Sequence, residues 1–111
     1  MRLPIIADNR GDLVVFDSVD AAERYIEAID VKNNEYDVFD SDGKVIVLTI
    51  WKDFNGVEHV ELSEDSSPSI ETAKLRAKIV EFLQEVDPQM QATTFSLPDL
   101  IKTVRRYARE A

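Results

Sequence analysis

Turn signals that contain glycine divide the first half of this sequence into apolar runs of strand length. Gly11 lies in the polar cluster 8–12, an Asp-Gly pair lies in 41–44, and Asn55-Gly56 follows the next apolar run. Asp-Gly and Asn-Gly pairs favour tight hairpin turns because these residues tolerate positive φ angles. The predicted strands are 3–7, 13–16, 36–39, 45–51 and 57–62.

Pro4 predicts an edge position for the first strand, because proline has no N–H to donate to a sheet ladder. The last three strands are interpreted as a three-stranded meander over 35–62. The run 45–51 is almost entirely apolar, which is typical of a central strand that is covered on at least one face. Trp51 is therefore expected in the core.

Three further segments have the apolar spacing and the end signals of amphipathic helices. Ser18 is a suitable N-cap for the first helix. Ser67 and Pro68 have the cap and first-turn pattern for a second helix that runs to Val86, and Ser96 begins the third. The apolar face of the first helix consists of Val19, Ala22, Ile26 and Ile29.

These elements predict an α+β fold in which residues 1–111 form a single domain. The expected architecture is a five-stranded antiparallel or mixed sheet with three helices, in the order ββαβββαα. Strands that are mostly joined by hairpins favour antiparallel pairing, with the helices packed against the sheet. A chain of 111 residues is long enough to bury a core without disulfides.

Negative charge is concentrated in the N-terminal half. Residues 1–65 carry sixteen acidic and six basic side chains, a net charge of −10, whereas residues 66–111 have a net charge of +1. A negative field repels nucleic acids and anionic membranes and attracts basic partners. We therefore expect a basic protein as the partner, with no nucleic acid and no membrane involved.

The residue types that most cofactor sites require are scarce. The chain has no cysteine and one histidine, too few ligands for zinc, and its glycines are isolated in three turns rather than in a phosphate loop. A calcium loop aligned on Gly43 would place Val38 and Thr49 where carboxylates are needed. No cofactor or metal is expected. The N-terminus lacks the apolar stretch of a signal peptide, which favours a cytoplasmic location.

An acidic stripe on the first helix is the main candidate site. Asp20, Glu23, Glu27 and Asp30 recur at helical spacing beside the apolar face, and Tyr25 lies among them. Complementary charge would speed encounter with a basic protein, and an aromatic anchor such as Tyr25 or Trp51 would supply affinity through burial. These five residues are predicted to bind the partner.

His59 is the only histidine and is central to the alternative interpretation. Any catalytic site that depends on histidine must include it. In a dispersed enzyme or ligand site, His59 would act together with Glu58, Glu61 or Tyr36. No serine lies in a nucleophile-elbow pattern, so we favour a half-exposed cross-strand role for His59.

The opening residues resemble a group of small bacterial proteins without assigned chemistry, some of which are similar to the immunity proteins that accompany secreted toxins. The likeness rests on 3–8, 11–13, 16–19 and 22–25. It implies tight binding to one cognate toxin rather than catalysis.

The predicted function is therefore a non-enzymatic, acidic protein-binding module, with an immunity-like role toward a basic toxin as its specific form. A homo-oligomer is a further alternative. Lys102, Arg105, Arg106 and Arg109 give the last helix a basic face, which could contact the acidic half of the same chain or of a second copy.

Overall fold

The computed structural model describes residues 1–65 and 69–110, which form an α+β fold. The strands are β1 (Ile5–Asn9), β2 (Asp12–Phe16), β3 (Tyr36–Phe39), β4 (Ile46–Lys52), β5 (Glu58–Glu64) and β6 (Arg109–Glu110). The α-helices are α1 (Val19–Tyr25), α2 (Ala28–Lys32), α3 (Thr72–Val86) and α4 (Leu97–Val104), and a 3₁₀ turn at Ala92–Thr94 precedes α4. The α+β class is as predicted, but the predicted architecture of one five-stranded sheet with three helices is wrong.

The strands form two sheets instead of one. β1 lies between β2 and β3, with the short β6 beside β2, whereas β4 and β5 form a separate antiparallel hairpin. The predicted meander fails because β3 and β4 join through one isolated bridge, Phe39–Val45, and form no ladder. The residues just before β4 also pair with the segment that precedes α3. The Val45 amide donates to the Ser69 carbonyl and the Glu71 amide donates to the Gly43 carbonyl.

The predicted edge position of Pro4 is also wrong, since β1 is an inner strand. Pro4 lies just before the strand begins at Ile5, so its missing N–H removes no hydrogen bond from the ladder.

The predicted first helix is broken in two at Ile26. This residue has an extended backbone, φ −75° and ψ 123°, and its side chain is buried, while α2 begins after Glu27. The break turns Ile29 outward, where it is 61% exposed instead of lying on the apolar face. Tyr25 and Ile26 are weaker helix formers than straight-chain residues, so ending α1 here costs little.

Both faces of the larger sheet are covered, which explains why β1 and β2 are buried almost throughout. Ile6, Leu13 and Val15 pack with α3 and α4 on one face. On the other face, Ile5 and Phe16 pack with Ile26 and with the inner side of the hairpin. The hairpin is therefore an outer layer on the side opposite α3.

The helix ends follow the predicted capping in part. The Ser18 hydroxyl accepts a hydrogen bond from the Ala21 amide at 3.0 Å, and Ser96 accepts one from Asp99 at 3.2 Å, as predicted. The predicted cap at Ser67 and Pro68 lies outside the described residues, and the helix that follows begins at Thr72.

Asp40 holds the loop between β3 and β4 in place. Its side chain is fully buried, and its carboxylate accepts hydrogen bonds from the amides of Arg2 (3.2 Å), Asp42 (2.9 Å) and Lys44 (3.0 Å). These bonds satisfy the charge inside the protein and join the N-terminus to the loop. The loop residue Gly43 then lies directly against Thr72 at the start of α3.

Gly43 and Gly56 form a matched pair that tests this packing. Both have positive φ, 85° and 76°, but a Cβ on Gly43 would lie 2.7 Å from the Thr72 Cα, whereas a Cβ on Gly56 would meet open space. Alanine at either position loses about 1–2 kcal/mol because of the left-handed backbone. The clash at Gly43 adds an overpacking cost of about 1–3 kcal/mol.

We therefore expect Gly43→Ala to lower the free energy of unfolding more than Gly56→Ala, as measured by urea denaturation. Equal losses in the two variants would show that the loop does not pack tightly on α3.

Candidate functional site

A groove with acidic walls runs between α1 and the β4–β5 hairpin. Two adjoining clefts of about 520 and 430 Å³ share Glu23, Arg24, His59 and Val60 in their walls. We call this surface the acidic groove. Its carboxylates are Asp20, Glu23, Glu27, Glu58 and Glu61, and its two rings are Trp51 and His59.

Glu23 fixes the distance between the two walls. Its Oε2 atom accepts a hydrogen bond of 2.8 Å from the Leu62 amide, which lies on the edge of β5 that faces away from β4. The Glu23 carboxylate on α1 thus accepts the hydrogen bond that the carbonyl of a neighbouring strand would otherwise accept. Glu23, one of the residues predicted to bind a partner, therefore has a structural role.

Trp51 and His59 both line the larger of the two clefts. They lie directly opposite each other in the hairpin register, and their rings stack at a centroid distance of 4.5 Å and an angle of 23°. Trp51 is 49% exposed, so the expectation that it lies in the core is wrong. In a two-stranded hairpin only one face is covered by the rest of the protein, and Trp51 alternates onto the other face.

Asp53 orients the His59 ring. The Asp53 Oδ2 lies 2.8 Å from His59 Nε2, while Oδ1 accepts hydrogen bonds from the amides of Asn55 (2.8 Å) and Val57 (3.0 Å). The hydrogen bond with His59, together with these turn amides, lowers the pKa of Asp53. Because a carboxylate only accepts, His59 Nε2 is the donor in this contact.

The other carboxylates of the groove differ in how far they are already paired. Glu58 is bonded to Lys32 Nζ at 2.7 Å, and this bond lowers the pKa of Glu58. Within the described part of the chain, Asp20, Glu27 and Glu61 form no ion pair. The groove thus contains three carboxylates that no ion pair neutralises among the described residues.

The structure brings together three of the five residues predicted to bind a partner. Asp20, Glu23 and Glu27 line the acidic groove. Tyr25 instead packs edge to face on Phe16, at a centroid distance of 5.4 Å. Asp30 lies beside Glu35, whose pKa it raises through a side-chain hydrogen bond.

The alternative site around His59 is only partly assembled. Glu61 lies in the same cleft as His59, but Glu58 is paired with Lys32. Tyr36 packs in the core between the larger sheet and the hairpin, and burial raises its pKa. Across the described residues, the hydrogen bonds of the His59 ring involve Asp53 and no hydroxyl group.

Trp51 is one of the two aromatic residues predicted as anchors, but the sequence interpretation missed its stacking on His59. The hairpin signal at Asn55-Gly56 favours a two-residue turn, which would pair Trp51 with Val60. The observed pairing of Trp51 with His59 is centred on Asn55, so the sequence did not indicate the ring stack.

A second charged cleft, of about 320 Å³, lies at Lys78 on the side of α3. Lys78 Nζ binds Asp8 at 2.5 Å and Asp37 at 3.2 Å. Burial opposes the charge on the ammonium, but these hydrogen bonds outweigh it and raise the pKa of Lys78. The cation is already neutralised by two carboxylates, which indicates a structural link between α3 and the sheet.

The predicted basic face of the last helix is not continuous. α4 ends at Val104, so Arg105 and Arg109 lie beyond it. Arg105 binds Asp17, and Arg109 Nε lies 3.8 Å from Asp12 Oδ2. These two cations therefore contact the acidic half of their own chain.

No family model, curated protein or solved structure matches this chain significantly. Among residues 1–65 and 69–110, no group of three or more histidine, aspartate or glutamate side chains is placed to hold a metal ion. No helix in the same ranges is long and apolar enough to cross a membrane.

The lowered pKa of Asp53 predicts how the stability of the hairpin depends on pH. The hydrogen bonds to Asp53 stabilise the fold fully above its unfolded pKa, and this contribution is lost as pH falls through the folded pKa. Asp53→Asn keeps an oxygen for the turn amides but has no charge to lose. We expect the stability difference between wild type and Asp53→Asn to shrink between about pH 5 and pH 3.

Urea denaturation at a series of pH values measures this difference. A difference that stays constant over the range would show that ionised Asp53 does not stabilise the folded hairpin.

Proposed function

We propose that this protein is a non-enzymatic, acidic protein-binding module that takes a basic segment of a partner protein into the acidic groove. The observation that carries the proposal is the half-exposed Trp51 surrounded by carboxylates. Protein interfaces often combine an aromatic anchor that becomes buried with a polar rim that fixes orientation. Trp51 would be the anchor here, and the acidic side chains would be the rim.

The charge of the groove supports a basic partner. Asp20, Glu27 and Glu61 form no ion pair within the described residues, and Arg24 is the one lysine or arginine side chain in the groove walls described. Lysine or arginine side chains of a partner would complete these pairs. The net charge of −9 on the whole chain would also steer such a partner toward the surface.

The resemblance of residues 3–25 to immunity-associated proteins suggests a specific form of this role. Those residues cover β1, β2 and α1, and α1 supplies one wall of the groove. A basic toxin is therefore the partner that we propose, with inhibition by direct binding as the mechanism. The groove needs no catalytic group for this function.

Matched charge reversals test the proposal. The double variant Asp20→Lys and Glu61→Lys reverses two exposed groove charges without touching the Glu23 bond to Leu62. The control Glu81→Lys and Glu85→Lys makes the same change in net charge on the exposed side of α3. We expect the groove variant to lose about tenfold or more in partner affinity for each reversed charge, and the control to bind like wild type.

The binding partner can first be captured from a lysate at low salt and identified, and its affinity for each variant then measured by calorimetry. Unchanged affinity in the groove variant would contradict the proposal. Equal loss in the control would show that binding depends on net charge and not on the groove.

A small enzyme or ligand-binding domain is the second candidate, because His59 is bonded to Asp53 beside a cleft that also contains Glu61. His59→Gln separates the two functions. It would abolish turnover or ligand binding in the second case, but in the first it removes only the stacking partner of Trp51.

A further inference from the structure

The tip of the β4–β5 hairpin carries the most exposed large apolar side chain among the described residues. Phe54 is 109% exposed, and Val57 in the same connection is 53% exposed. The next most exposed large apolar side chains, Ile29 and Ile70, each reach 61%. A fully exposed phenyl ring buries no apolar area, so Phe54 does not stabilise the fold by packing.

The turn at the tip does not require an aromatic residue either. The Gly56 amide closes a four-residue turn over 53–56 by donating to the Asp53 carbonyl at 3.0 Å. Phe54 occupies the first of the two central positions of this turn. Glycine, proline, asparagine, aspartate and serine are the residues that form turns most readily. Since neither packing nor turn formation explains Phe54, its exposure indicates a role in binding.

Asp53 holds the tip in one conformation. Its Oδ1 atom accepts hydrogen bonds from the amides of Asn55 (2.8 Å) and Val57 (3.0 Å), and its own amide donates to the Val57 carbonyl at 3.0 Å. Its Oδ2 atom accepts the hydrogen bond from His59 at 2.8 Å. The backbone that presents Phe54 is therefore ordered before binding, which reduces the conformational entropy that binding would cost.

The tip adjoins the acidic groove. His59, to which Asp53 is bonded, lines both clefts of the groove. Phe54 follows Trp51 by three positions, so their Cα atoms are at most about 11 Å apart. A standard interface covers about 800 Å² on each partner, which is a patch about 30 Å across. A protein that fills the groove is therefore large enough to cover the tip as well.

We propose that Phe54 enters an apolar pocket on the partner protein, next to the basic segment that the acidic groove binds. This inference rests on the proposed function and narrows the partner to proteins that have an apolar pocket beside basic side chains. Residues 54–57 carry no charge, although 22 of the 111 residues of the chain are acidic. An aromatic side chain that becomes buried at an interface is typical of the few residues that supply most of the affinity.

The charge of the protein favours a protein pocket over a lipid bilayer as the site that Phe54 enters. The net charge of −9 repels anionic membrane surfaces. Asp53 and Glu58, on either side of the uncharged tip, add negative charge next to Phe54. The same charges attract the basic side chains that would surround the pocket of the partner.

Capture from one lysate tests the inference with four immobilised proteins. These are wild type, Phe54→Ser, the control Tyr107→Ser, and the groove variant Asp20→Lys with Glu61→Lys. Tyr107 is 46% exposed and lies beyond α4, which packs on the opposite face of the larger sheet from the hairpin. Proteins that wild type and the control retain, but the groove variant does not, are identified as groove partners.

We expect Phe54→Ser to bind the purified groove partner about 30-fold more weakly than wild type by calorimetry, the loss typical of a truncated anchor. The control should bind like wild type. Equal affinity of Phe54→Ser and wild type would overturn the inference and leave the proposed function standing, whereas the absence of any groove-dependent protein would overturn both. Binding of wild type, but not Phe54→Ser, to uncharged phosphatidylcholine vesicles would show that the tip enters a bilayer instead.

NMR relaxation of the free protein tests whether the tip is ordered before binding. We expect backbone N–H order parameters of about 0.85 at Asn55, Gly56 and Val57, the value of rigid backbone. Values below about 0.6 would show a flexible tip and would overturn the inference that the fold presents Phe54 in a fixed position.

Discussion

The Leu62 amide donates a hydrogen bond to the Glu23 carboxylate, and the position of the β4–β5 hairpin depends on this contact. A hairpin of two strands is marginally stable in water and needs another element to pack against. Val60 and Leu62 supply the apolar part of that packing, in the same core cluster as Phe16. A hydrogen bond to a charged group adds about 1.5–3 kcal/mol and also fixes which residue of β5 lies beside α1.

The acidic groove follows from this arrangement. Because α1 is bonded to one edge of β5, the space beside the contact forms the acidic groove. Because the inner face of the hairpin is covered by the sheet and by Ile26, the alternate residues Trp51 and His59 must lie on the uncovered face. The hairpin thus supplies one wall of the acidic groove.

Local features of the fold were predictable because their signals lie within a few residues of one another. The turn at Asn55-Gly56 joins β4 to β5, and Ser18 and Ser96 cap α1 and α4 as predicted. The errors concern contacts between distant segments. No local pattern indicates that β3 pairs with β1, or that residues 43–45 bond to 69–71 instead of extending a meander.

The candidate site was likewise predictable only where its signals lie close together in the sequence. The spacing of Asp20, Glu23 and Glu27 predicted an acidic surface, and these residues do lie together. Helical spacing could not place Asp30, because the helix breaks at Ile26. It also could not show that Glu23 is bonded to β5, since Leu62 lies 39 positions away.

The most direct test of the acidic groove as a binding site is an NMR titration with an arginine-rich peptide at low salt. Trp51 is the only tryptophan, so its indole N–H resonance is unambiguous. We predict that this resonance and the amide resonances of Val60 and Glu61 shift on titration and return toward their free positions at high salt. If these resonances stay unchanged while those of another acidic surface shift, the groove is not the binding site.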